Sequence, residues 1–423
     1  VTQAARGGAP AGAPPRPAAS GRATVLLLAV ACGLCVANLY YLQPILPDLA
    51  ASLDVRPESL TPALSATQLG YALGLLALVP LGDVLDRRRL VSVLVSCAAV
   101  VLLLIPLARG TLLVVLFLPL GLFSVAAMVI VPMAAGMAPA QRRGQVVGTV
   151  MTGVILGALL CRTVAGLITG VAGWRAVFWC AAAAMCGVLV LLRRVIPRRS
   201  AQEERPPLTP AAYLRLLASV AALVRHHPEL ARRCVYGGLG FGAFTVLWTA
   251  VPLLLAEPPY DFGASAIGLV GLLGAGGALG ANLAGRHADR GRSTAVSVLS
   301  FALIALSFAG VAAWQSALLM ICLAVVLIDF AVQAAHITNQ TAVFQRVEAS
   351  ERSRVTTAYM TSYFLGGAVG SALMGPVWRE GGWAASALLG CAFGALALLL
   401  VTGHALRTRR NHPSGKGVRA TDA

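Results

Sequence analysis

Four polar side chains interrupt the apolar stretch at 321–341, ICLAVVLIDFAVQAAHITNQT: Asp329, Gln333, His336 and Gln340. At 100° per residue they share one narrow helical face. A charged side chain at the centre of a bilayer costs roughly 2.5–3.5 kcal/mol on insertion scales, so Asp329 must face protein or water. It is the only carboxylate deep in any apolar run of the chain. The chemistry on offer is proton carriage, or a counter-charge for a cationic cargo group. The plainer reading is permanent pairing with a buried donor such as Arg162. An unperturbed imidazole titrates between pH 5 and 8, and His336 lies two turns on, roughly 10 Å by helical rise. It can relay protons or simply bond a neighbouring helix. Gln333 and Gln340 are expected to line a cavity or tie helices together.

Arg162, in GVILGALLCRTVAG, is the one arginine inside an apolar run. Guanidinium keeps its charge in proteins. It can attract an anionic cargo group or bias the protonation of Asp329; alternatively it snorkels to the membrane surface. Asn38, Gln68 and Tyr71 are weaker candidates for substrate contact, with Gln43 beside them. Uncharged polar groups in spans often just bond a neighbour, at roughly 0.6 kcal/mol each.

These residues need a scaffold. The chain has 423 residues, 58% hydrophobic and 12% charged, with mean hydropathy +0.80. That composition excludes a soluble domain of this size, and apolar runs long enough to cross a bilayer recur throughout. Spans are expected at about 24–46, 60–81, 89–108, 111–137, 145–170 and 174–196. A second set is expected at about 233–256, 263–285, 293–312, 314–338, 354–378 and 382–405. The fold class is an all-α membrane protein of twelve transmembrane helices in two six-helix halves. The parts are a disordered tail (1–22), a first half (23–196), a linker (197–232), a second half (233–406) and a basic tail (407–423). The linker carries an amphipathic pattern, with Leu214, Leu217, Ala221 and Val224 on one face, as an interfacial helix would. Trp174, Trp314 and Trp383 fall where interface anchors are expected. The aromatic residues, only 6% of the chain, show no cage in the sequence.

The net charge of +17 invites a nucleic-acid partner, but its distribution argues for a membrane. Of the 33 Arg and Lys, 28 fall in one set of alternate loops and tails and four in the other, Arg56, Arg109, Arg175 and Arg379. That asymmetry places both termini in the cytoplasm. Nine scattered cysteines lack zinc-site spacing, and no phosphate-binding GxxxxGK[ST] is present. No cofactor or metal is expected, nor a nucleophile–base pair for an enzyme. Oligomeric state is not encoded.

A repeat supports the two halves. A shift of 209 matches Arg143 with Arg352, Met151 with Met360, Thr152 with Thr361, Gly157 with Gly366, Gly166 with Gly375, and Gly173-Trp174 with Gly382-Trp383. A shift of 206 matches Gly70 with Gly276, Gly74 with Gly280 and Asp83 with Asp289. Parallel halves imply a central cavity. The glycine faces Gly148/Gly153/Gly157 and Gly366/Gly367/Gly370 are expected to allow close helix packing.

The charged turns GRHADRGR (285–292) and VPLGDVLDRRR (79–89) resemble the signature turn of the major facilitator superfamily. In the first copy Val79 and Asp86 replace glycines of the pattern. NLYYLQPILPDLA, RRGQVVGTVMTG and YFLGGAVGSALMG look like bacterial drug:proton antiporter-type members, although span five lacks that group's Gly-Pro pair. The resemblance implies alternating access and proton-coupled efflux of a small amphipathic compound across the bacterial cytoplasmic membrane. On their own chemistry, Asp329 and His336 are the expected proton-coupling groups. Arg162, Gln333, Gln340, Asn38, Gln68 and Tyr71 would line the cavity, and Asp83, Arg87, Arg88, Asp289, Arg290 and Arg292 would form gating turns. The alternative is proton-coupled uptake of a small organic anion, favoured by Arg162. A non-transporting receptor or assembly protein is the rival outside transport.

Overall fold

The computed structural model describes residues 21–195, 209–288, 290, 292–314, 317–348 and 351–411. The expected tail at 1–22 lies almost wholly outside these residues. So do Asp289 and much of the linker, while the side chain of Asp83 is not described. The described residues contain no strand.

Among the described residues nine helices are long and apolar enough to cross a membrane, and ten once the bent pair Arg22–Ala37 and Leu42–Ser52 counts as one span. Non-helical backbone at Gly381 and Gly382 divides Arg352–Asn411 in two. Thr61–Ala77, 17 residues long, completes a set of twelve. Span one is therefore the bent pair and span two Thr61–Ala77. Span three is Arg87–Leu104, and span four is Gly110–Phe123 followed by Ala126–Met137. Spans five, six and seven are Arg143–Ala172, Trp174–Val195 and Pro228–Leu255. Span eight is Ala264–Val270 and Gly276–Ala288, joined by a tight turn at Gly271–Ala275. Span nine is Ser293–Ala313 and span ten Leu318–Phe344. Spans eleven and twelve are 352–380 and 383–411, so helix continues into the stretch read as a basic tail. Twelve crossings put the start of span one and the end of span twelve on one face, the terminal face; the other is the distal face.

The repeat in the sequence is a repeat in packing. Gly153 and Gly157 of span five meet Ala29 and Gly33 of span one. Gly366 and Gly370 of span eleven meet Gly238 and Gly242 of span seven. Gly70 and Gly74 bring span two onto span four as Gly276 and Gly280 bring span eight onto span ten. Each contact leaves no room for even a methyl group, which is how backbones approach closely where lipid supplies no hydrophobic drive. Gly148 is the exception: a Cβ there would meet nothing within 4 Å.

The matched Gly-Trp pairs are turns. Gly173 and Gly382 have φ of 81° and 54°, left-handed backbone that glycine adopts without strain. Trp174 and Trp383 then open spans six and twelve. Both indoles are buried, and their N–H groups donate to Ser52 Oγ at 2.7 Å and Val311 O at 3.0 Å. These two tryptophans therefore fasten helices within the protein and are not the interface anchors expected; Trp314, 62% exposed, fits that role.

The halves touch each other on the distal side. Gly166 of span five lies against Ala264 and Gly268 of span eight, and Thr163 Oγ1 donates to Gly268 O at 2.9 Å. The equivalent Gly375 of span eleven meets Thr61 and Glu58 at the start of span two. Nearer the middle, Tyr71 packs on Phe364 with ring centroids 4.3 Å apart. Towards the terminal face, Gly144 and Gly148 of span five have no neighbour at the Cβ position.

The linker helix Pro210–His226 lies against span seven and the 352–411 helices. Its covered residues are Val220 and Leu223, while Leu214 is 63% exposed and Ala221 is exposed too. The covered face is thus offset from the stripe read in the sequence. The helix buries its side chains in protein, which takes different residues from those that would face lipid headgroups. Tyr213 Oη donates to Ala77 O at 2.6 Å, capping span two from the linker.

Candidate functional site

Span ten positions the central carboxylate. Asp329 is 4% exposed, with Ile328, Ala331 and Val332 buried around it. Its Oδ1 accepts from Trp248 Nε1 of span seven at 3.0 Å. Oδ2 has no hydrogen-bond donor among the described residues and faces Gly274, where a Cβ would sit 2.8 Å away. A bulkier residue in that tight turn of span eight would press on the carboxylate.

Span five brings the opposite charge from the other half. Arg162 is also 4% exposed. Its Nε donates to Gln43 Oε1 at 2.7 Å and its Nη1 to Ala158 O at 3.0 Å, while Nη2 is buried without a partner. Its guanidinium carbon lies 4.6 Å from the Tyr40 ring centroid, 4.2 Å from Trp248 and 5.6 Å from Phe244. Such aromatic faces attract a cation, more strongly where water is excluded. Arg162 and Asp329 form no ion pair within 4 Å. One indole serves both, with its ring against the guanidinium and its N–H on the carboxylate. The aromatic cage that the sequence concealed is therefore real, and it is assembled from spans one and seven.

The rest of the stripe on span ten runs towards the terminal face and is half-buried. Gln333 has its Cγ near Gly277. His336 Nδ1 lies 3.2 Å from Tyr359 Oη, and its ring is 4.7 Å from that of Tyr363. Gln340 Nε2 contacts the Met360 sulfur at 3.7 Å. Phe241 stacks on Tyr363 at 4.1 Å and packs with Phe244 at 5.2 Å. Aromatic contacts thus run from His336 to the charge centre.

The weaker candidates divide. Asn38 sits at the bend of span one, and its Nδ2 bonds Ser124 Oγ at 3.2 Å and approaches Met185. That ties spans one, four and six together through Nδ2, while Oδ1 is buried without a partner. Gln68 is buried with Oε1 unpartnered, and Tyr71 closes against span eleven. Gln43, ranked low in the sequence, is the direct partner of Arg162.

At the charged turn after span two, Asp86 caps span three by accepting from Arg88 N at 3.0 Å. Its replacement of a glycine has a local use. Arg87 Nε donates to Gly82 O at 2.9 Å, and Arg88 bonds the carbonyl of Arg193 at the end of span six. Arg290 and Arg292 are exposed. Sequence reasoning missed a second buried arginine, Arg233, because it sits one turn inside span seven and was counted with the loop. It is 7% exposed, pairs with Glu229 at 2.8 Å, and donates to Ser297 Oγ at 3.1 Å and Asn339 Oδ1 at 3.0 Å. Glu229 also binds Arg232 at 2.8 Å and Arg346 at 2.9 Å. The network joins spans seven, nine and ten at the terminal face. Asn339 is therefore a buried acceptor.

Two similar helical halves with a buried charge centre between them are the arrangement expected of a membrane transporter. The chain belongs to the Major Facilitator Superfamily, whose family model matches residues 28–371 and 261–421. It is 40% identical over 379 residues to the uncharacterized transporter YgaY of Escherichia coli O157:H7, covering 89% of this chain and 94% of that one. It is 35% identical to the probable transporter SCO4007 of Streptomyces coelicolor, covering 88% and 85%. Among solved structures, it resembles a bacterial homolog of the human lysosomal transporter Spinster, inward-facing and occupied, with TM-score 0.72 and 14% identity over 94% of this chain and 98% of that one. The nucleoside transporter NupG gives 0.68 at 12% identity, covering 90% and 98%. At such identities these likenesses concern the fold. The protein is a secondary transporter, not an enzyme.

Proposed function

We propose that this transporter couples export of a small amphipathic compound to inward movement of protons, with Asp329 as the group that proton and cargo share. The observation that carries the reading is the bonding of Asp329. It is buried at mid-span and held by one neutral donor, with a fixed cation from the other half over the ring face of that donor. An ionised Asp329 attracts Arg162 across the contact between the halves and favours distal closure. A proton on Asp329 removes that attraction and favours distal opening. His336, lower on the same face, is the proposed relay towards the terminal face, which the charge asymmetry assigns to the cytoplasm. The aromatic lining from Tyr363 to Trp248 suits a partly apolar cargo. Asp83 and Asp289, each followed by basic residues in its charged turn of the sequence, are proposed to latch the halves on the cytoplasmic side. In that role Asp289→Asn lowers turnover and spares binding.

The unpartnered Nη2 of Arg162 favours a second reading, uptake of a small organic anion together with a proton. Proteoliposomes with internal pH reported by a trapped dye separate the two. Export by exchange predicts that an outward cargo gradient acidifies the lumen; joint movement predicts the opposite sign. Asp329→Asn should abolish the proton signal in either case. A variant that still shows cargo-driven proton flux removes Asp329 from the mechanism.

A further inference from the structure

The charge centre contains one fixed cation and one carboxylate, and each has a free bonding position. Arg162 keeps Nη2 buried and unpartnered after its other nitrogens are taken by Gln43 and Ala158. Asp329 keeps Oδ2 without a donor after Oδ1 takes Trp248. Leaving a buried polar group unsatisfied costs about 1–3 kcal/mol, and more for a charged group. The two positions do not satisfy each other: the guanidinium lies over the face of the Trp248 indole, the carboxylate lies at its N–H edge, and no ion pair forms between them within 4 Å.

Consider what can enter. A cargo carrying only a cation neutralises Asp329 and leaves Arg162 buried and uncompensated. One carrying only an anion does the reverse and also faces the Asp329 carboxylate. In a low-dielectric site, an unbalanced buried charge is the expensive outcome. A net-neutral cargo with both charges satisfies both positions and leaves the site neutral. Its body must bridge the two positions and be apolar enough to lie among Tyr40, Phe244 and Trp248.

We infer that the cargo is amphoteric, with a carboxylate for the free Nη2 of Arg162 and a protonated amine for Asp329, held apart by a flat apolar body. The inference rests on the reading that cargo and proton share Asp329. An amine on Asp329 displaces the proton, which is the competition that exchange requires, and the carboxylate draws Arg162 away from Asp329.

The test is equilibrium binding to the full chain in nanodiscs at fixed pH, with no gradient. The probe is 4-(aminomethyl)benzoate, and its single-charge analogues are benzylamine and 4-methylbenzoate. Tryptophan fluorescence and thermal stabilisation are the readouts. The zwitterion should bind at least about tenfold more tightly than either analogue, the scale expected when a charge-assisted bond is lost. Arg162→Gln should erase its advantage over benzylamine, and Asp329→Asn its advantage over 4-methylbenzoate. The comparison among the three probes in the unaltered protein decides the matter even where a variant fails to fold. Equal binding of benzylamine makes the cargo a cation; equal binding of 4-methylbenzoate makes it an anion. Either result, or absence of binding by all three, overturns the inference. Because no proton gradient enters, a failure here is distinct from a failure of proton coupling, which the flux assay reads.

Discussion

Trp248 is where the two charges meet, and its two contacts can be separated by substitution. Trp248→Phe keeps an aromatic face for Arg162 and Phe244 but removes the N–H donor to Asp329. A hydrogen bond to a charged group contributes about 1.5–3 kcal/mol. Cargo-driven proton flux should therefore fall at least about tenfold in Trp248→Phe, measured at a temperature where the variant is still fully folded. Were Trp248 only a packing residue, the phenylalanine variant would transport normally. The charges themselves were legible in the sequence, because a lone carboxylate and a lone arginine in apolar runs have few innocent explanations. Their surroundings were not. Tyr40, Gln43, Phe244 and Trp248 act through neighbours on other helices, and nothing in their own segments marks that. Asn38 shows the same gap: its bond to Ser124 of span four could not be read from its own segment.

At the scale of helices, similar glycines have two different uses. Gly153 seats span five on span one inside the first half, whereas Gly166 seats span five on span eight across the halves. Overpacking a tight contact costs about 1–3 kcal/mol. Gly153→Val should thus lower the melting temperature, since that contact is kept as the halves move. Gly166→Val should leave the melting temperature nearly unchanged and hold the distal side open, raising the reactivity of a reporter cysteine placed at Ala264. Equal destabilisation by both variants would show that the span five–span eight contact is a fixed part of the fold. The period of the repeat located these glycines, yet it could not say which contacts lie within a half. The linker helix shows the same gap: its amphipathic pattern was visible, but which face is covered depends on span seven and the last helices. Tyr213→Phe removes the bond to Ala77 O. It should cost about 0.5–1.5 kcal/mol of stability, read by thermal denaturation.

The whole molecule has its halves in contact on the distal side and a half-buried polar stripe leading from the centre towards the terminal face. Twelve spans, parallel halves and the positive-inside bias could be read from the chain because lipid constrains segment length and loop charge so strongly. The state of closure could not, since both states are built from the same helices. The central claim is that the proton on Asp329 sets which face opens. Spin labels at 148 and 279, with native thiols replaced, report the terminal opening between spans five and eight in nanodiscs. Lowering the pH should shift the unaltered protein towards shorter label distances as the distal side opens. Asp329→Asn should show the short-distance population at every pH. A variant that keeps the full pH response would contradict the account.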